Sequence, residues 1–162
     1  PMAVDMFLNI EGEIEGESKD KEHANEIDIL EWEFGLSNSG SFHAGAGGGS
    51  GKANFQDISI TKHIDSASAK LMLYCANGDH FKEATLTVRK AGKTALEYII
   101  FKMGNVMVTS IATGGSGGDD LLSERISLNF ENFEVKYTPQ KEDGQAGKPQ
   151  EFKWDIGANS AK

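Results

Sequence analysis

Four histidines, one cysteine, two glycine-rich loops and two runs of carboxylates are the groups in this chain that could do chemistry. His23, His43, His63 and His80 are never three to five residues apart, and none neighbours Cys75, so the spacing of a zinc site is absent. Cys75 falls on the apolar side of an expected helix, where a thiol is ordinarily buried and inert, and a Cys–His nucleophile pair would have to be assembled from distant segments. Gly45 to Gly51 followed by Lys52 invites comparison with a phosphate-binding loop. Ala53 stands where the magnesium-binding hydroxyl should be, Ala46 replaces the first glycine, and a strand follows instead of a helix. The loop Gly114 to Asp120 offers Ser116, Asp119 and Asp120 with glycine between, not the alternating oxygen ligands of a calcium loop, and reads as an exposed turn. Glu11, Glu13, Glu15 and Glu17, then Glu31 and Glu33, alternate along extended segments. A glycosidase sets two acids across a cleft and buries one of them, whereas this alternation describes a wet face. No catalytic, cofactor-binding or metal-binding residue is assigned, and the chain does not read as an enzyme.

The elements that must position these groups are strands. Val4, Met6, Leu8 and Ile10 share one parity, opposite Asp5, Phe7 and Asn9. Leu30, Trp32, Phe34 and Leu36 form an apolar face opposite Glu31, Glu33 and Gly35, so one side faces a core and the other water. Residues 37–53 read as a long loop. A strand from Asn54 to Ile64 turns Ile58 and Ile60 one way and Asp57, Ser59 and Thr61 the other. Residues 67–77 read as the one helix, capped by Asp65 or Ser66, with Leu71, Met72 and Cys75 on one side and Gly78 as a left-handed stop. Strands follow around Ala84–Val88, Leu96–Ile100, Val106–Thr113 and Ile126–Phe130. In the last of these the apolar parity flips to Phe133, Val135 and Tyr137, which calls for a bulge or bend near Glu131–Asn132. A polar loop over 139–149 leads to Phe152, Trp154 and Ile156. About eight strands, one short helix and no βαβ rhythm indicate a mainly β fold, an antiparallel barrel or sandwich.

Composition narrows the function classes. The 162 residues suit a single domain, and 38% hydrophobic residues allow a true core. A net charge of −9, from 25 acids against 16 bases, disfavours nucleic acid and anionic lipid as partners. Arg89, Lys90 and Lys93 are the best basic patch, and read as solvated turn charges. A lone cysteine excludes an internal disulfide and fits folding in the cytoplasm. No signal peptide and no membrane span are visible. Pro1 ahead of Met2 reads as a cloning remnant, leaving residues 2–162 as the domain.

A β domain of this size is expected to expose sheet edges, whose free N–H and C=O groups can pair with another copy. Head-to-tail contacts of that kind close into a ring when the rotation per subunit divides a full turn. The polar faces would then line a channel.

Two stretches carry a specific resemblance. Gly16-Glu17-Ser18-Lys19-Asp20-Lys21 leads into Glu26-Ile27-Asp28-Ile29-Leu30-Glu31-Trp32, and Thr113-Gly114-Gly115-Ser116-Gly117-Gly118-Asp119 leads into Ile126-Ser127-Leu128-Asn129-Phe130. Between and beyond them lie Ser39-Gly40-Ser41, Gln56-Asp57-Ile58-Ser59, Thr61-Lys62, Thr87-Val88-Arg89-Lys90 and Tyr137. In this order they resemble the Hcp family, the haemolysin-coregulated tube proteins of bacterial type VI secretion. The resemblance implies a tail-tube-like fold assembling into a hexameric ring. Rings would stack into a tube inside a contractile sheath (TssB/TssC), behind a VgrG spike, and carry effector proteins. It also implies a cytoplasmic protein that is secreted on firing without a cleaved signal. On this reading Glu31, Glu33, Asp57, Ser59 and Thr61 are the candidate lumen and cargo residues, and Glu33 stands where relatives often have a small polar residue. Ser41, His43, Gly47, Gly48 and Gly49 are candidates for ring stacking, and the helix belongs on the outer wall. The end at Lys162, with no toxin-like extension, suggests a plain tube subunit. The alternatives are a small β-sandwich ligand-binding module, which would need an exposed aromatic platform although Trp32 and Trp154 read as buried, and, behind it, a small hydrolase.

Overall fold

The computed structural model of the chain describes residues 4–40, 42, 52–91 and 95–162. Among them are eleven strands and one helix: β1 (Val4–Ile10), β2 (Ile27–Asp28), β3 (Glu31–Glu33), β4 (Leu36–Asn38), β5 (Ala53–Phe55), β6 (Ile58–His63), α1 (Ser68–Asn77), β7 (His80–Lys90), β8 (Leu96–Gly114), β9 (Ser123–Tyr137), β10 (Gln150–Asp155) and β11 (Ser160–Ala161). The long strands β7, β8 and β9 form an antiparallel meander, and β1 adds to β7 from Val4↔Lys90 to Ile10↔Ala84.

The segment 27–33 closes this sheet into a barrel. Its first half pairs with β1 (Leu8↔Ile27), and Ile29 N donates to Met6 O at 3.0 Å. One residue later Leu30 N donates to Thr61 O at 2.9 Å, and β3 continues along β6 (Trp32↔Ile60). Strand β6 in turn pairs with the first half of β9 (Ile58↔Leu128), so the circuit β1–β2/β3–β6–β9–β8–β7–β1 is complete. The expectation of exposed sheet edges holds only in part. Each long strand has a partner on both sides over much of its length, because closure satisfies most of its backbone groups within the chain, but the last stretch of β8, Val108–Gly114, pairs with β9 alone. The second half of β9 instead carries β10 (Phe152↔Val135), and β11 extends that flap. A separate hairpin ladder joins β4 to β5.

The interior is filled by Leu8, Ile58, Ile60, Leu86, Met103, Val106, Ile126 and Leu128, all 0% exposed. Inward series change parity at one level in three adjacent strands: Phe81 to Ala84, Met103 to Val106, and Phe130 to Phe133 are each three apart and buried. The β8–β9 pairing keeps its register across that level, Gly104↔Asn132 followed by Val106↔Phe130. The anticipated irregularity at Glu131–Asn132 is therefore a crease shared by neighbours. Asn105, opposite it, adopts the left-handed φ of 50°. The true register shift lies between Val108 and Ser110, at Thr109.

Helix α1 starts at Ser68, and its N-cap Ala67 has no side-chain cap. Asp65 contributes differently, accepting from Ala67 N at 2.9 Å. Gly78 ends the helix with φ 72° and donates to Tyr74 O. Ala67 and Leu71 are fully buried against the barrel, whereas Met72 is 42% exposed and Cys75 half-buried.

Other sequence expectations change. Leu30 and Leu36 are exposed, not core: at the crossing from β1 to β6 Ile29 takes the buried place beside Leu30, and after Glu33 the chain leaves the β6 ladder and turns at Phe34–Gly35 into the β4–β5 hairpin that carries Leu36. The same hairpin splits the strand expected at 54–64. Residues 96–114 are one strand, not two. Trp32 and Trp154 are half-buried.

Candidate functional site

Closure puts β3, β6, β9 and β8 side by side, and register then decides which outward side chains meet. Across the sheet Glu33 lies beside Ser59, Ser59 beside Ser127 and Ser127 beside Ser110. In the next row Glu31 is followed by Thr61, Arg125 and Ala112. Their neighbours Trp32, Ile60 and Ile126 point inward, so period two fixes all of these on the outside. Asp57 joins the same face just before β6: Asn129 Nδ2 donates to its Oδ1 at 2.8 Å, and the Thr109 hydroxyl bonds its Oδ2. The bulge at Thr109 aims that hydroxyl across the sheet. Arg125 Nε donates to Ser59 Oγ at 3.0 Å.

The five residues singled out from sequence, Glu31, Glu33, Asp57, Ser59 and Thr61, thus occupy one surface. Parity alone could not supply Thr109, Ser110, Arg125, Ser127 or Asn129, because pairing register is a long-range property. Asp57 and Arg125 are engaged within the face, while Glu31 and Glu33 are exposed and make no ion pair with another described residue. The surface is small-chained, hydroxylated and acidic, with three carboxylates against one guanidinium. It presents water with hydrogen-bonding groups; His63 continues the parity of Ser59 and Thr61 at the end of β6, across from Ser123, and among the described residues no hydrogen bond joins its ring to a hydroxyl of the face. Ser41, His43, Gly47, Gly48 and Gly49 lie outside the described residues, as do Gly45–Gly51 and Lys93. The hairpin that presents their loop is fixed by Leu36↔Phe55 and Asn38↔Ala53, and by Phe34 stacked on Phe133 at 4.6 Å.

Charge clusters that spacing did not reveal hold the rest of the molecule. Lys62 and Glu124 are cross-strand neighbours facing inward at the barrel end where α1 begins, 0% and 2% exposed. Lys62 Nζ donates to Glu124 Oε2, to Asp65 Oδ1 at 2.9 Å and to the His63 carbonyl at 3.0 Å. Ser68 Oγ donates to Glu124 Oε2 at 2.7 Å, tying the first turn of α1 to the same pair. Arg89 is not a solvated turn charge: it is 8% exposed and bonds Asp20 and Asp5. The Arg89 hydrogen bonds hold the Asp20 carboxyl down at about 2. Burial raises the pKa of Asp28, with Asp65, Asp20 and Asp5 adding to it.

Residues 7–137 match the family described as type VI secretion system effector, Hcp. The chain is 52% identical over 160 residues to the protein hcp1 of Pseudomonas aeruginosa, covering 98% of both. The structure of a type six secretion system protein superposes with TM-score 0.92 at 28% identity, covering 99% of this chain and 100% of that one. Hcp1 from Salmonella typhimurium gives 0.80 at 31% identity, with 99% and 100% covered. A creased barrel with an appended flap and a helix packed against β8, matched along its length in sequence and in backbone, makes this chain a member of the Hcp family of type VI secretion proteins.

Proposed function

We propose that this chain is the structural subunit of a type VI secretion tube and acts without catalysis. Six copies form a ring, rings stack, and the hydroxylated acidic face of β3, β6, β9 and β8 lines the lumen. The observation that carries the reading is that face itself: continuous, free of aromatic side chains among the described residues, and mounted on a barrel that pairs most of its long strands within the chain. A conduit must stay wet and must not grip what passes through it, which small polar side chains on a stiff sheet provide. The joints between protomers fall to what closure leaves over. These are the flap edge at β11, and the exposed apolar groups Leu121, Leu122, Tyr137 and Phe152. Leu36 and Phe42, 50% and 80% exposed beside the glycine-rich loop, belong to the stacking contact on this reading, along with Ser41, His43, Gly47, Gly48 and Gly49.

Family membership supports partners outside the ring: a VgrG spike, the contractile sheath and effectors held in the lumen. It also supports synthesis in the cytoplasm followed by export without a cleaved signal. Among the described residues no helix is long and apolar enough to cross a membrane. The test is sedimentation and negative-stain imaging of the purified protein at micromolar concentration. The expected particle is a closed ring of about six copies with a central hole. A clean monomer overturns the reading.

A further inference from the structure

Residues 11–26 carry seven carboxylates (Glu11, Glu13, Glu15, Glu17, Asp20, Glu22 and Glu26) against Lys19 and Lys21, a formal charge of 2 − 7 = −5 with His23 neutral. They form an irregular strap across the outside of β1 and β7. Under it Phe7, Thr87 and Arg89, outward by strand parity, become buried. The strap folds on itself through Gly16 N to Asn25 O at 2.9 Å, Ser18 N to Glu26 O at 3.0 Å and Asn25 N to Ser18 O at 2.9 Å. Its first half is anchored by buried Ile14 and by Glu13 on Lys70 at 2.8 Å.

Its second half is held at two points, by Asp20 on Arg89 of β7 and at His23. The imidazole, 8% exposed, stacks on Phe7 with ring centres 4.4 Å apart. Nδ1 lies 3.0 Å from Glu26 Oε2 and Nε2 lies 3.1 Å from Glu97 Oε2. Carboxylates only accept, and a neutral imidazole donates from one nitrogen alone. Both bonds form together only when the ring is an imidazolium. Glu26 belongs to the strap and Glu97 to β8, so the proton on His23 joins strap to barrel.

We propose that His23 is a protonation-controlled clasp: charged, it fastens residues 23–26 to β8, and on losing its proton it releases that tie and loosens this half of the strap, which Asp20 on Arg89 still holds to β7. The other charges facing the site come from each neighbouring element. Asp20 and Glu22 on the strap, Asp5 on β1 and Asp28 on β2 all favour the cation. From β7, Arg89, whose guanidinium carbon sits 5.1 Å from the centre of the Phe7 ring, opposes it but is already bonded to Asp20 and Asp5. Lys90, also on β7, is occupied over Tyr98 at 4.8 Å. An open cleft of about 450 Å³ lined by Asn9, Glu11, Glu26, Glu83 and Thr85 gives water a route to the Glu26 side. Burial disfavours the charged ring, but the bonds and charges of Glu26 and Glu97 outweigh it and raise its pKa above 6.5. The sign follows: the clasp contributes fully below the unfolded value near 6.5 and is lost as pH rises through the higher folded one.

The full-length labelled protein tests this by NMR between about pH 5 and pH 9. One signal is the His23 ring; the others are exchange of the Ser18, Asn25 and Glu26 amides, corrected for the intrinsic pH dependence of exchange. The expected result is a His23 midpoint above 6.5, with strap protection falling severalfold through the same midpoint while the Ile60 and Leu128 amides stay protected. Glu97→Gln, at a half-exposed site, should lower that midpoint and loosen the strap at neutral pH. A midpoint at or below 6.5, strap protection that stays flat across the His23 titration, or a Glu97→Gln protein unchanged in both signals overturns the proposal. None of these outcomes depends on ring formation.

Discussion

Lys62 shows how much a single inward-facing charge can organise. It extends the series Ile58, Ile60 into the barrel, where an apolar residue would be the default. Its ammonium is accommodated because Glu124, Asp65, Ser68 and a carbonyl surround it. Such a pair adds little over a well-packed apolar one, but removing one partner strands the other charge in the interior. Glu124→Gln or Lys62→Met should therefore each lower unfolding free energy by about 3–5 kcal/mol in denaturant titrations. The double replacement Lys62→Met with Glu124→Leu should recover a large part of that loss, which is the outcome that separates a charge effect from a volume effect. Nothing in the sequence marks Lys62 as buried. Its parity matches Ile60, but lysines at strand ends ordinarily reach water, and only the cross-strand position of Glu124 makes burial tolerable.

Among elements, the crease across β7, β8 and β9 decides the shape of the barrel. The parity flip in residues 126–137 was visible in the sequence, since Phe130 and Phe133 cannot share a face of a regular strand. The partner flips at Lys82–Glu83 and Gly104–Asn105 were not, because those strands pair over long separations. Asn105 takes the left-handed conformation that L residues with branched side chains resist. Asn105→Val should cost about 1–2 kcal/mol in unfolding free energy, beyond loss of the 3.1 Å bond to Glu131, whereas Asn105→Gly should be close to neutral. Equal costs for the two would mean that the side-chain bond, not the backbone, holds the crease.

For the whole molecule, the proposed lumen face carries Glu31 and Glu33 as carboxylates with no described ion-pair partner. Repeated around a ring, their charges add at close range inside a narrow bore, where field lines concentrate. Glu33→Arg should leave ring assembly intact, read by sedimentation, while changing which co-expressed effectors stay bound through purification. Loss of the ring in that variant would move Glu33 from the lumen to a joint between protomers. A ring in this account rests on leftover edges, among them the end of β8, and on exposed apolar side chains, since the barrel pairs most of its own long strands.

The sequence by itself determined the β class, the single helix with its glycine stop, the wet parity of Glu31, Glu33, Ser59 and Thr61, and the family. These are local periodicities and ordered motifs, legible without knowing any partner strand. Tertiary structure alone decided that the sheet closes, that Leu30 and Leu36 are exposed, and that Arg89, Lys62 and His23 are gripped by acids 62 to 84 positions away. Whether a charge is solvated or clamped depends on what the chain lays over it, and a strap such as residues 11–26 contributes that cover only after the barrel beneath it exists.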